Sequence, residues 1–342
     1  MALNAKQYDQ IREEIEKSDR PLIFFHDDAD GLSSFLLLYR HIMKGKGIMV
    51  KPLPIVDEKY LHYVEEYSPD RIFVVDIAVV EQEFIDRAGK PVVWIDHHTP
   101  LKRKNVLYFN PRSSELSDSE PVSYVCYKAL KRDLWIAMTG AIGDWYMPDF
   151  AGEFAEKYPD LFDAKIKKPE EALFTTKIGE LVKVFSFILK GASEEAMKCV
   201  RILQKVESPY EIISSETPRG KFVYKRYDYF RKLYDALMEK AKKAAAKGNF
   251  LVYIYRDKDS FTGDMSNELL FLHPDKVVIV GREKQGEVRM SLRGAGKNKV
   301  LPKLKKALEG MDGYGGGHEY ACGATVKKKD FDSFIDKLRE EF

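Results

Sequence analysis

The sequence predicts an α/β protein in three parts. An N-terminal parallel-sheet domain carries helices on both faces, a helical linker follows, and a smaller α/β domain closes the chain. The 342 residues are too many for one ordinary core. Short β-rich apolar runs alternate with helical stretches near both ends, and that rhythm lapses in between. Three of the early runs end in acids and histidines. The expected boundaries are 1–190, 191–247 and 248–342.

Taken in order, residues 1–18 set Ile11 and Ile15 one turn apart, which marks a short helix. Pro21-Leu-Ile-Phe-Phe25 reads as a buried strand running into His26-Asp27-Asp28-Ala29-Asp30-Gly31. Gly31 to Met43 is apolar and helical, Met49 to Ile55 is a further strand, and Lys59 to Tyr67 is a helix. Arg71-Ile-Phe-Val-Val75 leads into Asp76, and Pro91-Val-Val-Trp-Ile95 into Asp96-His97-His98. Pro111 to Ser119 is a polar loop, Ser123 to Lys131 a helix, and Leu134 to Ile142 an apolar run into Gly143-Asp144.

Residues 148–170 are rich in Pro and charge and are expected to be an irregular surface segment, suited to docking a replication or repair protein. Glu171 to Lys190 is an apolar helix closed by Gly191. Arg226 to Lys247 sets Phe230, Leu233, Tyr234, Leu237 and Ala241 on one face, an amphipathic helix bridging two domains. Strands return at Phe250 to Tyr255, Lys276 to Val280 and Glu287 to Leu292. A glycine-rich loop, Gly313 to His318, precedes Ala324-Thr-Val326 and a final helix.

Charge is balanced, with 56 basic and 54 acidic side chains and a net charge of +2, so any nucleic acid must meet a local patch. Cys126, Cys199 and Cys322 are odd in number and form no CxxC, which argues against a zinc ribbon or dithiol site. No secretory h-region opens the chain and no apolar stretch approaches the ~20 residues a membrane span needs, so the expected location is the cytoplasm.

The acids and histidines carry the chemistry. Ligands of open α/β sheets gather beyond the carboxyl ends of the strands, so three stretches deliver side chains to one place. His26, Asp28 and Asp30 alternate, and in extended chain all three face one site. Asp27 points away. Asp76, His97 and Asp144 complete six candidate ligands, four carboxylates and two imidazoles. One ion with six such ligands has no room for substrate, whereas two ions sharing a bridging carboxylate do. Imidazole with carboxylate and no thiolate suits two Mn²⁺, with Mg²⁺ a second possibility. Such ions lower the pKa of a bound water and give a hydroxide nucleophile for phosphoester cleavage. His41, His62 and His273 lie in no such cluster. On the C-terminal strand, Arg289, Ser291 and Arg293 share one face, a contact strip for a nucleic-acid backbone.

These motifs resemble those of the DHH phosphoesterase superfamily. Asp96-His97-His98 is similar to its signature, His26-x-Asp28-x-Asp30-Gly31 to its first motif, Asp76 to its second and Gly140-Ala-Ile-Gly-Asp144 to its fourth. Gly315-Gly-Gly-His318, with Arg293 upstream, resembles the DHHA1 substrate-binding domain. The resemblance implies one Mn²⁺ on His26, Asp28 and Asp76 and another on Asp30, Asp76, His97 and Asp144. It sets His98 beside the scissile phosphate, and the roles of His97 and His98 can be exchanged. Asp96 would orient an imidazole. Gly315, Gly316 and Gly317 would let backbone N–H groups approach a phosphate, with His318 and Arg293 adding charge-assisted hydrogen bonds.

The spacing and the long helical middle look most like archaeal RecJ-like proteins. The implied activity is a Mn²⁺-dependent exonuclease on single-stranded DNA or RNA, with 3′→5′ polarity preferred. The alternatives are a short-oligonucleotide or cyclic-dinucleotide phosphodiesterase and, last, a non-catalytic replication or repair scaffold.

Overall fold

The computed structural model describes residues 3–51, 53–115, 118, 120–243 and 248–342. It is a mixed α/β structure with a parallel N-terminal sheet and a smaller C-terminal sheet domain. The chain divides into two compact units, Met1–Tyr227 and Asp228–Phe342.

The first unit opens with α1 (Ala5–Glu16), whose Ile11 and Ile15 are fully buried. Then come β1 (Pro21–His26), α2 (Ala29–Ile42), β2 (Lys46–Val50) and the two-residue β3 (Ile55–Val56). The strand expected at Met49 to Ile55 is therefore shifted toward Lys46, where Gly47 packs against the Phe35 ring. Next are α3 (Leu61–Tyr67), β4 (Arg71–Val75), the short β5 (Val79–Val80), α4 (Gln82–Ala88), β6 (Val92–Ile95) and β7 (Val106–Phe109). Part of the expected loop at 111–119 lies outside the described residues. Helices α5 (Val122–Leu130) and α6 (Leu134–Gly143) follow.

The sheet is parallel throughout, in the order β2-β1-β4-β6-β7. The strand order reverses between β1 and β4, which is the topological switch point where such sheets bind ligands. Every residue of 22–25, 72–75 and 92–95 is buried, as a sheet covered on both faces requires. One face packs Phe24, Val74 and Trp94 against Leu61 and Val64 of α3 and Phe84 and Ile85 of α4. On the other face the Phe25 ring stacks on Phe35 of α2 at 4.7 Å.

Two expectations fail over residues 148–190. Residues 148–170 are not an irregular surface: α7 (Ala151–Lys157) forms there, and Phe150, Phe154, Leu161 and Phe162 are buried. Their helical spacing is hidden among charges. The single helix expected at 171–190 is two helices, α8 (Pro169–Thr175) and α9 (Lys177–Ile188), broken at an extended Thr176. The break lets α8 return onto α9 so closely that a Cβ on Gly179 would collide with the Leu173 carbonyl.

Helices α10 (Ser193–Leu203) and α11 (Pro209–Ile213) also belong to the first unit. Buried Arg40 ties this region to α2: it pairs with Asp133 at 2.7 Å and donates to the Gln204 and Val206 carbonyls. The long α12 (Pro218–Lys242) carries the chain into the second unit and buries Phe230, Tyr234, Met238 and Ala241. Of the helix expected at 226–247, residues 244–247 lie outside the described residues.

The second unit contains β8 (Phe250–Tyr255), α13 (Thr262–Leu272), β9 (Val277–Lys284), β10 (Glu287–Arg293), α14 (Leu301–Ala307), β11 (Gly313–His318), β12 (Ala321–Lys327) and α15 (Phe331–Glu340). Strand order is β11-β12-β10-β9-β8. Val288, Met290 and Leu292 point into a core with Leu304, Phe334 and Leu338, which leaves the alternate residues on the opposite face. The expected glycine-rich loop is a strand, β11, paired with β12 from Gly313 to His318.

Candidate metal centre

Register explains why the ligands meet. Phe25 pairs with Val75, and Val75 with Ile95, so His26, Asp76 and Asp96 emerge level at the carboxyl edge of three adjacent strands. Two amides hold that edge: Asp76 N–H donates to Ile95 O and Asp96 N–H to Phe109 O, both at 3.0 Å. Asp76 has φ 56°, the left-handed region that Asp and Asn tolerate better than most residues. The chain therefore turns sharply at the strand end and keeps the Asp76 carboxylate buried between two imidazoles.

His26, Asp28 and Asp30 do converge, but not by extended alternation. His26 ends β1, Asp28 is the N-cap of α2 and accepts from Gly31 N–H at 2.9 Å, and Asp30 lies in the first helical turn. The tight strand-to-helix turn requires Gly31, because a Cβ there would meet the His26 carbonyl oxygen at 2.5 Å. Asp30 crosses to the start of α5, accepting from the amides of Val122 (2.8 Å) and Ser123 (2.9 Å) and from the Ser123 hydroxyl. These amides cap α5 through a side chain distant in sequence, a role that no local motif reveals. Asp144 is the C-cap of α6. It reaches the site because Gly140 and Gly143 let α6 press on its neighbours: a Cβ on Gly140 would meet Ser33 Cβ at 2.7 Å, and one on Gly143 would meet Ala29 Cβ at 2.8 Å.

Three groups of potential ligand atoms result, each lying within 4.8 Å of one another: His26, Asp28 and Asp76; Asp76, His97 and His98; and Asp30, His97 and Asp144. All six expected ligands are present, and Asp76 belongs to two groups. His26 Nδ1 lies 2.7 Å from Asp28 and 3.4 Å from Asp76, while His97 lies 3.4 Å from Asp76 and 3.5 Å from Asp144. Among the described residues, buried His26 Nδ1, Asp76 Oδ2 and His97 Nδ1 have no aligned hydrogen-bond partner. Three orphaned buried atoms converging with carboxylates fit divalent cations.

The titration directions express the same crowding. Burial raises Asp30, and the nearby Asp76 and Asp144 carboxylates raise it further. Asp144 is pushed up to about 6, by burial first and then, against the pull of His97, by Asp76 and Asp28. Burial alone would raise Asp76, yet His26 and His97 hold it well below the usual carboxylate range. Burial alone would lower both imidazoles, but Asp28 and Asp76 lift His26, and Asp144 and Asp76 lift His97.

His98 is held differently. Its Nδ1 lies 2.7 Å from buried Asp96, and its amide donates to the same carboxylate at 3.1 Å. Asn110 Nδ2 and the Tyr108 hydroxyl back Asp96 from behind at 3.4 and 3.5 Å. Nδ1 is thus committed, which leaves Nε2 as the working nitrogen of His98. Asp27 lies 3.6 Å from the outer nitrogen of His26 and outside all three ligand groups.

The C-terminal residues divide. Arg289, Ser291 and Arg293 do share a face of β10, as the alternation predicts. Helix α13 covers part of it: Ser291 donates to Thr262 at 3.1 Å and Arg293 to Asn267 at 2.6 Å, whereas Arg289 is exposed and pairs with Glu287. Register puts Gly316 beside Gly323, and His318 level with Ala321 and Arg293. Gly315, Gly317 and His318 are exposed on edge strand β11.

Residues 20–142 match the DHH family, N-terminal domain, and residues 249–342 match the DHHA1 domain. The chain belongs to the DHH superfamily. The RecJ of Thermus thermophilus, solved with Mn²⁺, aligns with a TM-score of 0.66 and 17% identity over 97% of this chain and 53% of its own. This DHH protein thus spans about half the length of that RecJ. A manganese-bound RecJ exonuclease aligns at 0.60 with 18% identity over 99% and 94% of the two chains. The DHH domain of a protein assigned to a ribosomal-protein family aligns at 0.69 with 14% identity over 98% and 89%. No curated protein matches the sequence. No described helix is long and apolar enough to cross a membrane.

Proposed function

We propose that this DHH protein is a Mn²⁺-dependent phosphodiesterase of the archaeal RecJ-like type that removes nucleotides from an end of single-stranded DNA or RNA in the 3′→5′ direction. The observation that carries the reading is Asp76, one carboxylate shared by two ligand groups, as a two-metal phosphoesterase site requires. His26, Asp28 and Asp76 would hold one ion, and Asp30, Asp76, His97 and Asp144 the other; such ions would supply charge for the phosphate oxygens and lower the pKa of a water. Mn²⁺ suits the mixed imidazole and carboxylate donors, with Mg²⁺ second, and the Thermus RecJ was solved with each.

The protein's own groups do the rest. Asp96 fixes the His98 ring, and His98 Nε2 holds a phosphate oxygen or passes a proton to the leaving oxygen. Burial works against the charged form of His98, and the Asp96 hydrogen bond overcomes it and raises the pKa, so the ring keeps a proton to give. Arg289, His318 and the amides of Gly315 to Gly317 bind the substrate backbone, with Ser291 and Arg293 supporting them.

A second reading, a short-oligonucleotide or cyclic-dinucleotide phosphodiesterase, is favoured by the part of the β10 strip that α13 covers, which shortens the track for a long strand. End-labelled single strands of about 20 nucleotides exceed the span of a typical single-strand site and separate the two readings. A Mn²⁺-dependent ladder on DNA or RNA, with its polarity read from the labelled end that survives, supports the exonuclease. Cleavage of a dinucleotide alone supports the second reading.

A further inference from the structure

The residue after Asp144 is Trp145, and its backbone has φ 59°. A bulky side chain in the left-handed region is an outlier that persists where the surroundings impose it. Its amide donates to Ile142 O at 3.1 Å, which fixes the turn off the end of α6. The ring is half-buried, whereas the other two tryptophans, Trp94 and Trp135, are 0% and 2% exposed. Trp145 meets Phe174 of α8 in a T-shaped pair, centroids 6.1 Å apart at 72°. Lys183 of α9 sits over the same Phe174 ring at 6.0 Å. Its neighbour Val182 lies against Gly143, where an added Cβ would meet Val182 Cγ1 at 3.3 Å. The aromatic pair and its cation are thus tied by chain to the Asp30, His97 and Asp144 ligand group: Trp145 follows Asp144, and Lys183 follows the Val182 that packs at Gly143.

We propose that Trp145 is a stacking residue for the nucleobase of the nucleotide being cleaved, with Lys183 answering the phosphate that follows. The inference rests on the nuclease reading above and adds the element that reads a base at the metal centre. Aromatic faces beside basic side chains hold single strands without regard to sequence. The ligand is thus a base attached to a phosphodiester, not a phosphate alone.

The full-length protein in EDTA, titrated with a short oligothymidylate, gives the first test. Trp94 and Trp135 are buried, so quenching of tryptophan emission reports Trp145. Quenching that W145F abolishes is expected. By anisotropy, W145N should bind about 5- to 150-fold more weakly and W145F should keep most of the affinity. Asn accepts a positive φ, so W145N is not penalised for strain. The wild-type enzyme should also cut a strand with an abasic terminal nucleotide more slowly than an intact one. Saturable binding with unchanged emission, or equal cutting of both ends, overturns the proposal while a Mn²⁺-dependent ladder keeps the nuclease reading. Quenching without cleavage under any metal leaves stacking intact and removes the nuclease reading. No binding in EDTA overturns the stacking proposal and leaves the nuclease reading to the Mn²⁺-dependent ladder.

Discussion

Asp76 offers a decisive perturbation, because two substitutions there separate its charge from its backbone. Asp76→Asn keeps the size and a residue type that tolerates φ 56°, and removes only the charge shared by the two ligand groups. Asp76→Ala removes the charge and also forces a Cβ residue without a local polar partner into the left-handed region, at roughly 1–2 kcal/mol. In a unit of this size that difference is roughly 2–8 °C in Tm, Ala below Asn. Both variants should lose activity by more than the about 10- to 100-fold that follows removal of an outer partner of a metal ligand. Bound Mn²⁺ per chain after dialysis, melting in EDTA, and turnover on a labelled single strand measure the three effects. If Asp76→Asn still held two ions per chain and turned over like the wild type, the shared-carboxylate argument would fail.

Four further outcomes can be checked. Asp96→Asn should lower kcat about 10- to 100-fold while leaving Mn²⁺ stoichiometry unchanged, since Asp96 contacts His98 and no ligand group includes it. Gly140→Ala should destabilise the fold by about 1–3 kcal/mol in denaturant melts, because its Cβ would collide with Ser123 and Ser33. Arg289→Ala should raise KM on a long strand, spare a dinucleotide, and reduce the salt slope of binding by about one, the signature of one exposed phosphate contact. Buried Glu120 is raised to about 7, by burial first and then by Asp118 and Asp149 against Lys128. A carboxyl raised in the fold holds its proton where the unfolded chain releases it, so stability falls as pH climbs from the ordinary value of 4.5 toward 7. Glu120→Gln should therefore melt progressively higher than wild type across that window in thermal scans, and reach a constant advantage above it.

The sequence displays β1, β4 and β6 clearly because apolar runs buried on both faces leave no alternative period, and each ends in residues that no core accepts; the short β5 and the half-buried β7 offer no such run and are not predicted from it. It displays the candidate ligands His26, Asp76 and His97 for the same reason, since they follow three strand ends, whereas Asp28, Asp30 and Asp144 are brought in by the ends of α2 and α6. What stays hidden depends on contacts between distant segments. Asp30 caps α5 across more than ninety positions, through amides of Val122 and Ser123 that carry no signature of it. The kink at Thr176 depends on how α8 meets Gly179, and periodicity alone reads through it. Residues 148–170 look like surface because Lys and Glu outnumber the buried Phe150, Phe154 and Phe162 that anchor them. On β10 the two-residue period correctly gives the face shared by Arg289, Ser291 and Arg293, but only packing shows that α13 takes two of the three.

The centre also explains why so costly an arrangement persists in the fold. Asp28, Asp30, Asp76 and Asp144 crowd around two imidazoles at a buried sheet edge, and the protons stand where cations would: Asp30 and Asp144 are raised, His26 and His97 are raised, and Asp76 is held ionised between the rings. Divalent ions held there would replace those protons, so their binding should release protons and tighten as pH rises. The strain falls on the same residues, with left-handed backbone at Asp76 on one side and at Trp145 beside Asp144 on the other. Neither the buried charge nor the backbone helps an empty fold. Both are accounted for if the site is shaped for two ions and a strand end.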